Sequence, residues 1–127
     1  MKLEVGMKGT AETVVVFENT AAAVGSGAAQ VFATPSMIAL MEKAALEMVQ
    51  PCLAEGESTV GTAISVTHDA ATPIGKTVVA EAELVEIDRR KLSFRVQARC
   101  GEQILGKGTH TRFIIDSEKF LKKAMAQ

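Results

Sequence analysis

A chain of 127 residues with 47% hydrophobic side chains is long enough to bury one core, so a single domain over residues 1–127 is expected. Basic and acidic side chains number 14 and 15, and Trp and Tyr are absent. That balance offers neither the basic surface nor the stacking platforms that nucleic acid requires. No apolar run reaches the ~20 residues that span a bilayer, and "MKLEVGMKGTAE" lacks the apolar region of a secretory signal. Cys52 and Cys100 stand far apart without metal-type spacing. The expectation is a cytoplasmic protein with reduced thiols, no resident metal and no membrane contact.

The first predicted element is a strand in "TAETVVVFE", residues 10–18. "TAAAVGSGAAQ", residues 20–30, is small and Gly-containing and predicts a mobile loop. A helix of about four turns follows, with Thr34 as its N-cap and Pro35 at its first position. Met37, Leu40, Met41, Ala44, Ala45 and Met48 recur at helical spacing, and Pro51 and Gly56 mark the exit. The period then changes to two. Val60, Ile64, Val66 and His68 are expected on one face of a strand. Val78, Ala80, Ala82 and Leu84 share a face in the next, and Leu92, Phe94, Val96 and Ala98 in the one after. "DRRK" and "CGEQ" are hairpin connections, "QILGKGTHTRFIID" is a last strand, and "SEKFLKKAMAQ" is a short C-terminal helix. The fold class is therefore α+β, an antiparallel sheet with one long helix on its concave face. Such a sheet leaves an edge uncovered, which pairing into a homodimer would close.

Three residues invite a chemical reading. Glu42 has Ile38, Ala39, Ala45 and Leu46 at its adjacent helical positions, all apolar. A carboxylate in that setting has a partner or a task. His68 lies on the strand face that should meet the helix, where a satisfied core histidine is the plain alternative. Thr34 precedes Glu42 by two helical turns, although capping alone accounts for it. A hydroxyl, a carboxylate and an imidazole beside a helix N-terminus would make an acyl-transfer or hydrolysis site. His110, alternating with Arg112 and Ile114, has no obvious carboxylate companion and reads as structural. There is no GxSxG elbow, phosphate-binding Gly loop or GxGxxG.

"VFAT…MIALMEKA", "GTAISVTHDAATPIG", "AELVEIDRRKLSFRVQA" and "GKGTHTRFIID" resemble the fluoroacetyl-CoA thioesterase-like branch of the hotdog-fold thioesterases, from about Val31 to Phe120. The resemblance implies a hotdog fold, in which a curved antiparallel sheet wraps one long helix. It implies hydrolysis of an acyl-CoA substrate with no cofactor, by homodimers, which in some cases pair into tetramers, with sites at the subunit interface. It carries the catalytic threonine, glutamate and histidine onto Thr34, Glu42 and His68. It places Gly61 in the acyl pocket and Arg112 near the site; Phe32, the only aromatic close to the segment ahead of Thr34, is a further substrate-binding candidate. Glu42 would be general base on water or the nucleophile itself. A hotdog acyl-thioester dehydratase or hydratase and a non-catalytic acyl-CoA-binding module are the alternatives.

The chain departs from that branch in one place. The fluoroacetyl-specific enzyme carries a Phe- and Pro-rich lid ahead of its threonine, whereas this chain has "NTAAAVGSGAAQVF". Small residues there predict a broader short-chain or aryl acyl-CoA hydrolase.

Overall fold

In the computed structural model, which describes residues 2–127, five antiparallel strands form one sheet. They are β1 (Lys8–Val14), β2 (Glu57–Val66), β3 (Thr77–Asp88), β4 (Lys91–Cys100) and β5 (Gln103–Asp116). The spatial order is β1-β3-β4-β5-β2, so β1 and β2 are the edges. Three helices accompany it: α1 (Ala21–Val24), α2 (Thr34–Val49) and α3 (Ser117–Met125). The expected architecture is present: α2 lies mainly across β1 and β3, and the sheet curls past it toward β5 and β2. Among the described residues, no helix is long and apolar enough to cross a membrane.

The core follows from two periodicities. α2 buries Met37, Leu40, Met41, Ala44, Ala45 and Val49, a 3.6-residue stripe. β3 answers with Val78, Ala80, Ala82 and Leu84, and β4 with Leu92, Phe94, Val96 and Ala98, all buried at every second position. Burying each large apolar side chain contributes on the order of 1.5–3 kcal/mol. Helix and sheet meet most closely at Gly9. A Cβ there would stand 2.7 Å from the Met48 Cβ and 3.0 Å from the Ala44 carbonyl oxygen, so β1 approaches the helix backbone itself. The β3–β4 hairpin turns in two residues, with Arg89 at φ 57, at a cost of about 1 kcal/mol for a side chain in the left-handed region.

Four expectations are corrected. Strand β1 ends at Val14, and a 3-10 turn occupies Phe17–Asn19. Residues 20–30 are not a featureless loop: Thr20 caps the single turn α1 by accepting from the Ala23 N–H. Backbone bonds from Ala21 to Val31 and from Ala22 to Ala29 then close the segment on itself. Helix α2 begins at Thr34 itself, with Ala33 as N-cap and no side-chain capping bond. Finally, the β2–β5 register shifts between Gly61 and Ala63. That bulge exchanges the two faces of β2. Thr59 and Gly61 face inward before it and Ile64 and Val66 after it, so Val60 points outward instead of joining Ile64. His68 lies beyond the end of the strand.

Candidate functional site

Because Ala33 serves as N-cap, the Thr34 hydroxyl is free of capping. It stands 2.7 Å from His68 Nδ1. Two neighbouring segments bring the pair together. The Ala33 N–H donates to the Asn19 carbonyl, fixing the helix start. The Thr67 and Asp69 N–H groups donate to the carbonyls of Lys107 and Leu105, carrying the chain past β2 so that His68 faces α2. His68 Nε2 is buried without a protein partner. Thr34 and His68 open on a cleft of about 260 Å³, walled by Ala21, Ser26, Val31, Phe32, Ala70 and Ala71. The positive end of the α2 dipole lies at this cleft. Phe32 contributes a wall but is only 1% exposed, so it belongs to the core and is not a mobile gate.

Glu42 is placed differently from its sequence expectation. Its side chain is 40% exposed, and it turns toward β2 and β5 instead of into the core. Arg112 Nη1 stands 3.4 Å from Glu42 Oε2, and His110 Nε2 is 4.0 Å from the same oxygen. Gly61 makes room for that oxygen: a Cβ there would come within 2.6 Å of it. The missing side chain of Gly61 thus accommodates the Glu42 carboxylate, and neither Gly61 nor Arg112 lines the Thr34–His68 cleft. No hydrogen bond or ion pair joins Glu42 to Thr34 or His68 within one chain.

The Arg112 guanidinium is nearly out of solvent, with its side chain 7% exposed. Nε donates to Thr59 Oγ1 at 2.7 Å and Nη2 to the Thr59 carbonyl at 2.9 Å. Its donors therefore engage protein groups, which makes Arg112 a clamp on Glu42 rather than a surface contact. Burial lowers its pKa, and Glu42 opposes that shift. His110 is 2% exposed, with the Phe94 ring centroid 5.9 Å away. Burial depresses its pKa below the ordinary imidazole value; the Ala63 carbonyl opposes this and Arg112 adds to it. The sequence reads His110 as structural and does not single out Thr59. The available signal was the alternation of His110 and Arg112 on one face of β5, which the Glu42 side chain meets across the helix–sheet gap. Among the described residues, no group of three or more His, Cys, Asp or Glu is placed to hold a metal ion. A larger hollow, of about 600 Å³, lies on the opposite face of the sheet among Lys8, Glu81, Glu83, Arg95 and Lys107. It contains neither a histidine nor a cysteine.

Residues 15–118 match the family model described as fluoroacetyl-CoA-specific thioesterase. A fluoroacetyl-CoA thioesterase of Streptantibioticus cattleyicolor is 50% identical over 94 residues, 74% of this chain and 68% of that one. The solved structure of the fluoroacetyl-CoA thioesterase FlK superposes with a TM-score of 0.94 at 40% identity, covering 100% of this chain and 98% of that one. A thioesterase superfamily member from Thermus thermophilus gives a TM-score of 0.88 at 26% identity, covering 97% and 91%.

The depressed pKa of His110 has a definite sign in folding. Between the unfolded imidazole value of ~6.5 and the lower folded one, the unfolded chain binds a proton that the folded chain does not. Stability contributed by the neutral ring is therefore complete above pH ~6.5 and declines as pH falls through the folded value. Urea midpoints measured across this range should fall more steeply for the native chain than for His110→Gln. Parallel curves would contradict the assignment.

Proposed function

Because the chain belongs to the fluoroacetyl-CoA-specific thioesterase family, hotdog-fold hydrolases of acyl-CoA thioesters, we propose that it cleaves a short-chain or small aryl acyl-CoA to the free acid and coenzyme A. The observation that carries the site assignment is the 2.7 Å contact of Thr34 Oγ1 with His68 Nδ1, in a cleft at the α2 N-terminus. Thr34 hydrogen-bonds the thioester carbonyl or the attacking water, and His68 orients that hydroxyl. The helix N-terminus favours the oxyanion that forms when water adds to the carbonyl carbon. Glu42 accepts the proton of that water. The tetrahedral intermediate then collapses with cleavage of the C–S bond, and coenzyme A leaves as thiolate and is reprotonated. Clamping by Arg112 holds Glu42 in place.

Glu42 faces the middle of β2 at Gly61, whereas Thr34 meets His68 beyond the end of that strand. Seven residues of extended chain span roughly 20 Å. β2 is also an edge strand whose Gly61, Thr62, Ala63 and Ser65 are exposed. Antiparallel pairing of two β2 edges would set Gly61 of one protomer near the end of the other's strand. Glu42 would then work with the partner's Thr34 and the partner's His68. This favours a homodimer with two composite sites.

Three measurements test this reading. Glu42→Gln should fold normally and lose about 10²–10⁴-fold in kcat, the usual contribution of one general base; full turnover would refute the base assignment. A doubly tagged heterodimer of one Glu42→Gln chain and one His68→Ala chain holds one intact composite site, so it should recover about half the native activity. An inactive heterodimer would place each site within one chain. The ratio of kcat/KM for fluoroacetyl-CoA over acetyl-CoA should lie within about tenfold, because the cleft walls are mostly small residues and an apolar contact discriminates by only ~1–3 kcal/mol. A ratio near a thousand would mean that another residue supplies the gate.

A further inference from the structure

His110 has no part in the reaction as described, yet both of its ring nitrogens are engaged. Nδ1 lies 2.8 Å from the Ala63 carbonyl oxygen. A carbonyl can only accept, so Nδ1 carries the proton. In the neutral ring Nε2 is then a bare acceptor, and Arg112 Nη1, which can only donate, stands 3.2 Å from it. The same Nη1 stands 3.4 Å from Glu42 Oε2. Partners alone thus fix the tautomer. Ala63 is also the residue at which the β2–β5 register resumes after the bulge, so the imidazole bridges that bulge to the guanidinium.

We propose that His110 is a positioning residue for thioester hydrolysis: by holding the Gly61–Ala63 bulge at one nitrogen and Arg112 Nη1 at the other, it sets where the Glu42 carboxylate stands. The inference rests on the reading of Glu42 as the base. The charged groups facing the imidazole are Glu42 from α2 and Arg112 from its own strand. The neighbours from β2 and β4, Gly61, Ala63, Ile64 and Phe94, do not titrate. Protonation of the ring would set an N–H of Nε2 against the N–H of Nη1. Two donors would then oppose each other, and Arg112 would be pushed from its place beside Glu42.

The two nitrogens can be tested separately. In His110→Gln the amide oxygen reaches the Nε2 position and accepts from Arg112. In His110→Asn the amide nitrogen reaches the Nδ1 position and donates to Ala63, leaving Nη1 without its acceptor. Expected is a kcat within about fivefold of native for the Gln variant and a loss of about 10–100-fold for the Asn variant, the scale of a misplaced catalytic group. KM should change little in either. Equal losses in both variants, or full kcat in the Asn variant, would overturn the proposal. Melting temperatures should not rank the variants as kcat does; if they do, the role is structural only. Glu42→Gln, assayed in parallel, separates the two readings. Full turnover there refutes the base, while displacement of the Arg112 Nε–H resonance in His110→Asn, but not in His110→Gln, still supports the positioning. Should neither variant fold, ¹⁵N spectra of the native imidazole decide. A protonated Nδ1 and a bare Nε2 below pH ~6.5 support the proposal, and the opposite tautomer overturns it.

Discussion

A guanidinium that loses its water must find protein acceptors, and the way Arg112 finds them ties three elements together. Desolvating a charge without partners costs several kcal/mol. Thr59 supplies two acceptors from β2, His110 a third from β5, and Glu42 the counter-charge from α2. The open side of the molecule, where the sheet has curled past the helix, is thus joined to α2 by polar contacts, whereas the β1–β3 side is joined by apolar packing. The two halves of the helix–sheet interface are therefore governed by different physics. One half is close-packed, down to the Gly9 notch; the other is a charged network with a partly solvated carboxylate at its rim.

That division bears on the chemistry. A base buried wholly in apolar surroundings would hold its proton, and one in open water would be unplaced. With 40% of its side chain exposed and a guanidinium at 3.4 Å, Glu42 is both reached by solvent and held in place. The Thr34–His68 pair has the complementary surroundings, small walls and a helix N-terminus, where negative charge is favoured.

Much of this was legible in the sequence. Alternation in "KLSFRVQAR" and the two short hairpin connections made the antiparallel order of β3, β4 and β5 legible, although the register shifts at Leu84–Glu86 and Ala98–Arg99 left no mark in it. Thr34 was expected to cap the helix and His68 to share the strand face; Thr34 instead opens α2 without capping it, and His68 lies past the end of β2. Illegible were the features that break a period. The Gly61–Ala63 bulge exchanges the faces of β2 without any compositional mark beyond one glycine, so Val60 was assigned inward. Glu42 was expected in the core because its helical neighbours are apolar. Helical spacing gives no account of where the sheet ends, and Ala39 proves to be exposed. His110 was read as structural because its carboxylate neighbour lies 68 positions earlier in the chain, on another element.

Gly61 also bears on how the chain avoids pairing β5 wrongly. β5 carries glycines at 106 and 108, where a Cβ would run into the carbonyl oxygens of Thr67 and Ser65, so the β2 end of the chain approaches these positions closely. A slip of two residues against β2 would leave every β5 side chain on its own face, so the inside-outside pattern alone cannot forbid it. Two features oppose it: only glycine fits beside the Thr67 and Ser65 carbonyls, and of the inward residues Thr59, Gly61, Ile64 and Val66 only Gly61 leaves space for two charged heads. Arg112 and Glu42 can meet only opposite that vacancy. Slipped either way, the guanidinium would face a side chain and lose its carboxylate. The absent side chain of Gly61 therefore acts as one alignment key, and the polar cluster gathered beside it helps to hold the strand in its pairing.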